Sequence, residues 1–134
     1  MLLKLRAGEK LYINGAVIKV ERKATIELLN DAAFLLEAHV IQASDASTPL
    51  RQLYFVLQMQ LMERDAAPET KKMFAGMLAD TCGALGPTAA AEGLRSAGAL
   101  AEAGRVFEAL KAIRALFPLE AEYLKDQATQ TVAA

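Results

Sequence analysis

The sequence predicts an α+β protein: a small N-terminal antiparallel sheet of three or four strands followed by a bundle of four or five helices. Three observations carry this. Through about residue 42, apolar and polar residues alternate with the period of a half-buried strand. From Ser47 onward, apolar residues recur every three or four positions, the period of a helix face. Charge divides along nearly the same line: residues 1–23 carry Lys4, Arg6, Lys10, Lys19, Arg22 and Lys23 against Glu9 and Glu21, a net +4. The whole chain of 134 residues sums to −1, which leaves −5 for the remainder. The expected organisation is a basic β module over 1–42, a helical body over 47–126 and a flexible tail over 127–134.

The elements follow in order. Leu3 and Leu5 alternate with Lys4 and Arg6 as a first strand, and after Ala7-Gly8 the residues Leu11 and Ile13 alternate with Lys10 and Tyr12. Asn14-Gly15 then separates this run from Ala16–Val20. An Asn-Gly pair between alternating runs is the strongest short hairpin signal, because both central residues of a type I′ turn need positive φ. That turn sets Ile13 against Ala16, Tyr12 against Val17, Leu11 against Ile18 and Lys10 against Lys19. Glu21-Arg22-Lys23 reads as the next turn, with a third strand near Thr25–Leu29. Asn30-Asp31 then precedes Ala33–Ile41, a fourth strand or a helix, with Phe34–Leu36 favouring strand.

Ser47-Thr48-Pro49 offers a helix cap followed by proline in the first turn, where a missing N–H costs nothing. Leu50, Leu53, Tyr54, Leu57 and Leu61 mark one helical face as far as Met62, and Phe55, Val56, Met59 and Met62 lie beyond that face. The helix is therefore either buried on two sides or part of an interface. Pro68 opens a second helix carrying Met73, Phe74, Met77, Leu78 and Leu85, with Gly83 and Gly86 as end signals. Thr88–Ala103 is alanine-rich, anchored by Leu94 and Leu100 and weakened by Gly93 and Gly98, so it is either close-packed or frayed. Val106, Leu110, Ile113 and Phe117 mark a further helix, which Pro118 is expected to interrupt while starting the next.

A hydrophobic fraction of 54% is ample for a core. The single cysteine, Cys82, excludes an internal disulfide and fits a reducing cytoplasm. Residues 1–15 hold no continuous apolar stretch of the kind a secretory signal needs, and Leu53–Met62 is too short to span a bilayer. The expectation is a soluble cytoplasmic protein without a membrane partner.

Chemistry is sparse. His39 has no nearby histidine or cysteine with which to hold zinc and no partner for a nucleophile–base pair, so it reads as a plain structural or surface residue. Cys82 lies in an apolar helical stripe and reads as a small core residue. Gly83-Ala84-Leu85-Gly86 lacks the Lys-Ser/Thr of a phosphate loop and follows a helix rather than a strand. No catalytic residue, metal site or cofactor is expected, and the chain does not read as an enzyme.

The hairpin carries the one candidate site. Lys10 and Lys19 face each other across the ladder, and Tyr12 lies next along the same face. A cation pair beside an exposed aromatic can grip phosphate and stack a base of single-stranded RNA. The alternative is a solvated face whose lysines protect a sheet edge from aggregation. Arg105, Glu108, Lys111 and Arg114, three residues apart, read as an exposed ion-paired stripe.

Several blocks in this order resemble the FlbT family of flagellin regulators. They are Gly8–Val17, Leu28-Leu29-Asn30-Asp31, Phe34-Leu35-Leu36-Glu37, Thr48–Phe55, Ala103-Gly104-Arg105 and Glu108–Pro118, together covering about residues 4 to 124. The resemblance implies a post-transcriptional regulator that binds the 5′ untranslated region of flagellin mRNA and represses translation or promotes decay. It also implies FlaF, a small companion protein that opposes such regulators, as a partner. The first forty residues are similar in rhythm to the CsrA family of mRNA-binding repressors, which implies a strand-exchanged homodimer. Phe34–Ile41, however, contains no arginine where that family keeps one.

On this reading Lys10, Lys19 and Tyr12 are central to RNA binding, with Lys4, Arg6, Arg22 and Lys23 as phosphate contacts. The rival reading is a protein-interaction module that docks flagellin or another flagellar protein on its helices.

Overall fold

The computed structural model describes residues 1–30, 32, 34–63 and 67–133. Asp31, Ala33 and Ala134, which fall in the expected turn, the strand-or-helix segment and the tail, lie outside it. Five strands come first: β1 (Leu2–Leu5), β2 (Lys10–Ile13), β3 (Ala16–Lys19), β4 (Ala24–Glu27) and β5 (Phe34–Leu36). Two short 3-10 turns, Glu37–His39 and Ala43–Asp45, lead to α1 (Pro49–Met62), α2 (Ala67–Leu85), α3 (Ala89–Glu102) and α4 (Val106–Ala133). The class is α+β as expected, but the strands number five rather than three or four and form two antiparallel sheets, β1–β4 and β3–β2–β5.

The hairpin register is the one the Asn-Gly turn dictates. Asn14 and Gly15 take φ of 48° and 81°, the double positive φ of a type I′ turn, and Lys10–Ile13 pair with Lys19–Ala16. The third strand lies over Ala24–Glu27 and pairs with β1 rather than beside β3. The reason is that residues 6–9 and 20–23 interrupt the two arms by equal lengths, so the register continues unslipped from the β2–β3 ladder into the β1–β4 ladder. Residues 2–27 are thus one long hairpin bent at its middle. At the bend Glu9 N–H donates to Arg6 O (3.0 Å), with Gly8 at φ 81° in the third position, as a type II turn requires.

The bend folds the two ladders over a small core of Leu3, Leu5, Leu11 and Phe34, with Ile13, Val20, Ile26 and Leu36 packed around it. Phe107 of α4 completes it, its ring stacked on Phe34 at a centroid distance of 4.4 Å. β5 settles as a strand because both of its faces are covered. Phe34 turns to this small core, while Leu35 turns to the main core beneath the helices.

In the helical body α1 and α3 each pack against both α2 and α4. Leu50, Leu53, Tyr54, Val56, Leu57, Gln58 and Leu61 of α1 are buried, so that helix is covered on two sides. Its first-turn donors are all accounted for. Pro49 has none, the Glu120 carboxylate accepts from Leu50 N–H (2.7 Å), and the Thr48 hydroxyl accepts from Arg51 N–H (3.3 Å). Gly83 lies inside α2, and the helix ends instead at Leu85, before Gly86 at φ 65°. α3 is the close-packed alternative, burying Ala90, Ala91, Leu94, Ala97, Gly98 and Ala101. A Cβ at Gly93 would come within 2.6 Å of Leu116 on α4, and one at Gly98 would run into Leu78 on α2.

Pro118 does not divide the last helix: α4 runs through it from Val106 to Ala133. An internal proline costs about 3 kcal/mol, but packing holds α4 in line on both sides of it. Ile113 and Leu116 are in the core before the proline, and just after it the buried Glu120 holds the first turn of α1. Where the composition reads as a flexible tail, residues 127–133 continue the helix.

Sheet and bundle meet at a polar joint. The buried Tyr54 hydroxyl donates to His39 O and accepts from Arg114 Nη1 (2.9 Å). One turn along α1, the buried Gln58 amide donates to Ile41 O (2.9 Å) and accepts from Ile41 N–H (2.8 Å). Burial raises the Tyr54 hydroxyl above its usual 10.0 even though Arg114 acts to lower it.

Two substitution tests follow. Tyr54→Phe should lower stability in urea by about 1–3 kcal/mol, because it strands the Arg114 guanidinium and the His39 carbonyl together. Gly98→Val should lower it by about 1–3 kcal/mol through overpacking. Gly83→Ala, where an added Cβ meets nothing within 4 Å, should raise it by about 0.5–1 kcal/mol. Glycine variants that shift together would show that crowding on α3 is not the cause.

Candidate nucleic-acid interface

Five of the seven candidate residues gather around the bend of the hairpin. Lys10 and Lys19 are paired at the inner end of the β2–β3 ladder. One step beyond Leu5 and Ala24, the last pair of the other ladder, stand Arg6 and Lys23, with Arg22 next to Lys23. All five are exposed, and none has an ion-pair partner among the described residues. Lys4 stands apart, exposed on the outer face of β1 opposite Thr25.

Tyr12 departs from expectation. It shares a face with Lys10, as the alternation requires, but it is half-buried and packs against the main core. The helices cover that face at β2 and β5, which a hairpin read alone leaves open. Among the described residues no fully exposed aromatic ring flanks the lysine pair, and Tyr12 offers only part of its ring.

Acidic groups temper the cluster. Glu9 and Glu21 lie in the bend itself, so the five cations and two glutamates leave +3 there. Glu37 sits where the β5 ladder would continue and accepts from the backbone N–H of Lys10 (2.9 Å). This contact, across 27 residues of sequence, has no local signature. What remains is a small exposed cationic patch of the kind that attracts anions through its local field.

The stripe on α4 splits in two. Arg105 and Glu108 form an exposed ion pair at 2.5 Å, as the spacing suggests. Arg114 instead turns inward, half-buried over the Tyr54 ring and bonded to its hydroxyl. Cys82 is a buried core residue. His39 is part of the joint: its carbonyl receives Tyr54, while its buried Nδ1 has no hydrogen-bond partner among the described residues. Burial first, and then the charge of Arg114, lower its pKa from 6.5. Among the described residues no group of three or more His, Cys, Asp or Glu is placed to hold a metal ion, and no helix is long and apolar enough to cross a membrane.

Fold and site together define a small α+β protein, a bent basic hairpin clamped to a four-helix body. Comparison with known proteins is specific about its relatives. The family model described as flagellar protein FlbT matches residues 1–124, and the chain belongs to that family. It is 48% identical over 122 residues to the probable flagellum biosynthesis repressor protein FlbT of Chelativorans sp. (strain BNC1), covering 91% of this chain and 84% of that protein. It is 49% identical over 125 residues to the protein of the same name in Brucella ovis, covering 93% of this chain and 82% of that one. No solved structure matches it.

His39 makes the joint sensitive to acid. Its folded-state pKa is depressed, so its contribution to stability is present above 6.5 and is lost as pH falls from there through the lowered folded value. Urea midpoints should therefore drop between pH 7 and pH 5. His39→Gln should flatten that drop; an unchanged slope would assign it to other groups.

Proposed function

We propose that this chain is a regulator of flagellum biosynthesis that binds the 5′ untranslated region of flagellin mRNA and represses its translation or promotes its decay. The relatives carry the flagellar repressor part of the reading, through their names. The observation that favours RNA is the group of exposed, unpaired cations at the hairpin bend: Arg6, Lys10, Lys19, Arg22 and Lys23. Lys10 and Lys19 face each other on one ladder with no carboxylate side chain paired to either, and two like charges so placed repel. A phosphate between them relieves that repulsion, and Lys4 extends the track along β1. Tyr12 serves to anchor the face to the core and does not stack on a base.

A second reading, docking of flagellin or another flagellar protein on the helices, draws on Leu119 and Leu124 of α4, which are 39% and 40% exposed. FlaF and a second copy of the chain are further candidate partners. Binding to immobilised flagellin with no shift of flagellin leader RNA, both at physiological salt, would favour that reading.

Gel shifts with flagellin leader RNA over a salt series test the first reading. Replacing Lys10 and Lys19 with alanine should weaken binding and reduce the slope of log K against log salt by about 1.4, two phosphate contacts at roughly 0.7 each on a single strand. Tyr12→Phe should leave both unchanged. An unaltered affinity and slope in the double variant would remove the hairpin from the RNA interface.

A further inference from the structure

We propose that the free edge of β3 takes an added strand from a protein partner, an extended segment in which acidic and apolar residues alternate. The proposal rests on the edge itself and is independent of the RNA reading. β3 is the outer strand of its sheet, and all four of its residues are exposed. Val17 is 61% exposed and Ile18 40%, side chains that most sheets cover. Proteins blunt such edges with charges, proline, bulges or a covering element. Ala16-Val17-Ile18 has none of these, and Lys19 at the strand end is the one gatekeeper.

The hydrogen-bond phase says which groups are open. Val20 bonds inward, its N–H donating to Glu9 O (3.2 Å) and its carbonyl accepting from Gly8 N–H (2.7 Å). Antiparallel ladders alternate, so Ile18 and Ala16 also bond inward to β2, while the N–H and C=O groups of Val17 and Lys19 point outward. Two residues of correctly spaced backbone are thus free to continue the sheet, the geometry of strand addition.

Charge selects the occupant. On one face, Lys19 is flanked by Lys10 across the ladder, and Arg22 and Lys23 follow in the bend. A carboxylate opposite Lys19 on the incoming strand would sit among cations that have no ion-pair partner among the described residues. On the other face, a residue opposite Ile18 meets an apolar side chain. An acidic–apolar alternation places a carboxylate opposite Lys19 and an apolar residue opposite Ile18, while the next carboxylate, opposite Val17, lies diagonal to Lys19 on the same face. A second copy of β3 would instead bring another Lys19 and a second basic bend to the same edge.

A capped seven-residue peptide alternating glutamate and valine is a direct probe, with a lysine–valine peptide as control. In the full-length, isotope-labelled protein, the glutamate peptide should shift the Val17 and Lys19 amides saturably at submillimolar to millimolar concentration and slow their hydrogen exchange. The control should not. Val17→Pro removes one outward N–H and leaves the inward bonds of Ala16 and Ile18, so it should weaken binding by about tenfold or more. Val17→Glu, a change on an exposed side chain, should do so by repulsion and guards against a misfolded proline variant. Both variants should still bind flagellin leader RNA if the RNA reading holds, which keeps the two readings separable. No response at millimolar peptide overturns the proposal, as does an equal response in both Val17 variants. Edge protection that rises with protein concentration, without peptide, also overturns it and assigns the edge to a second copy.

Discussion

The arrangement of this protein depends on how the segment Glu37–Ile41 is tied to α1. The Tyr54 hydroxyl bridges His39 O and Arg114, and Gln58 pairs with Ile41 in both directions. These are buried polar groups, and each is stable there because its partners are present. The joint fixes the end of β5, and β5 in turn fixes β2, against which the whole bent hairpin is folded. A helical body of ordinary apolar packing thereby acquires a rigidly placed basic surface.

That placement explains why the two faces of β2 behave so differently. Leu11 and Ile13 serve the small core inside the bend, while Tyr12 serves the main core with Leu35. Lys10 at the end of β2, the whole of β3 and the cations of the bend escape both cores. The cations are concentrated where the chain has no second layer to cover it, and their position follows from packing as much as from charge.

Local features of the fold were largely legible in the sequence. The Asn14-Gly15 turn sets a complete register, because two residues of forced φ leave one pairing open to their neighbours. Thr48-Pro49 and Thr88 mark helix starts through their own hydroxyls, which accept from Arg51 and Ala91. What could not be read depends on distant residues. Pro118 stays within a helix because Glu120 and Leu116 are held by elements elsewhere in the chain. Phe34–Leu36 is a strand because Phe107 covers one side and the main core the other. Arg114 leaves its stripe because Tyr54, 60 residues earlier, accepts its bond. In the candidate site the cations were visible as a count and a register, but the burial of Tyr12 and the approach of Glu37 were not, since the main core makes the one and the turn after β5 the other.

The stacking of Phe107 on Phe34 has a consequence for synthesis. Everything else in the small core lies within the first 36 residues, so the hairpin can close around its turn in about 1–10 μs once it has left the ribosome. Its last wall arrives only with α4. At about 5–20 residues per second, translation from residue 36 to residue 107 takes roughly 4–14 s. Throughout that interval the nascent hairpin is formed in outline but open on one side, with Leu3, Leu11 and Phe34 facing water. This is the stage at which the growing chain is most vulnerable to a stray apolar contact, and it ends when the final helix is made.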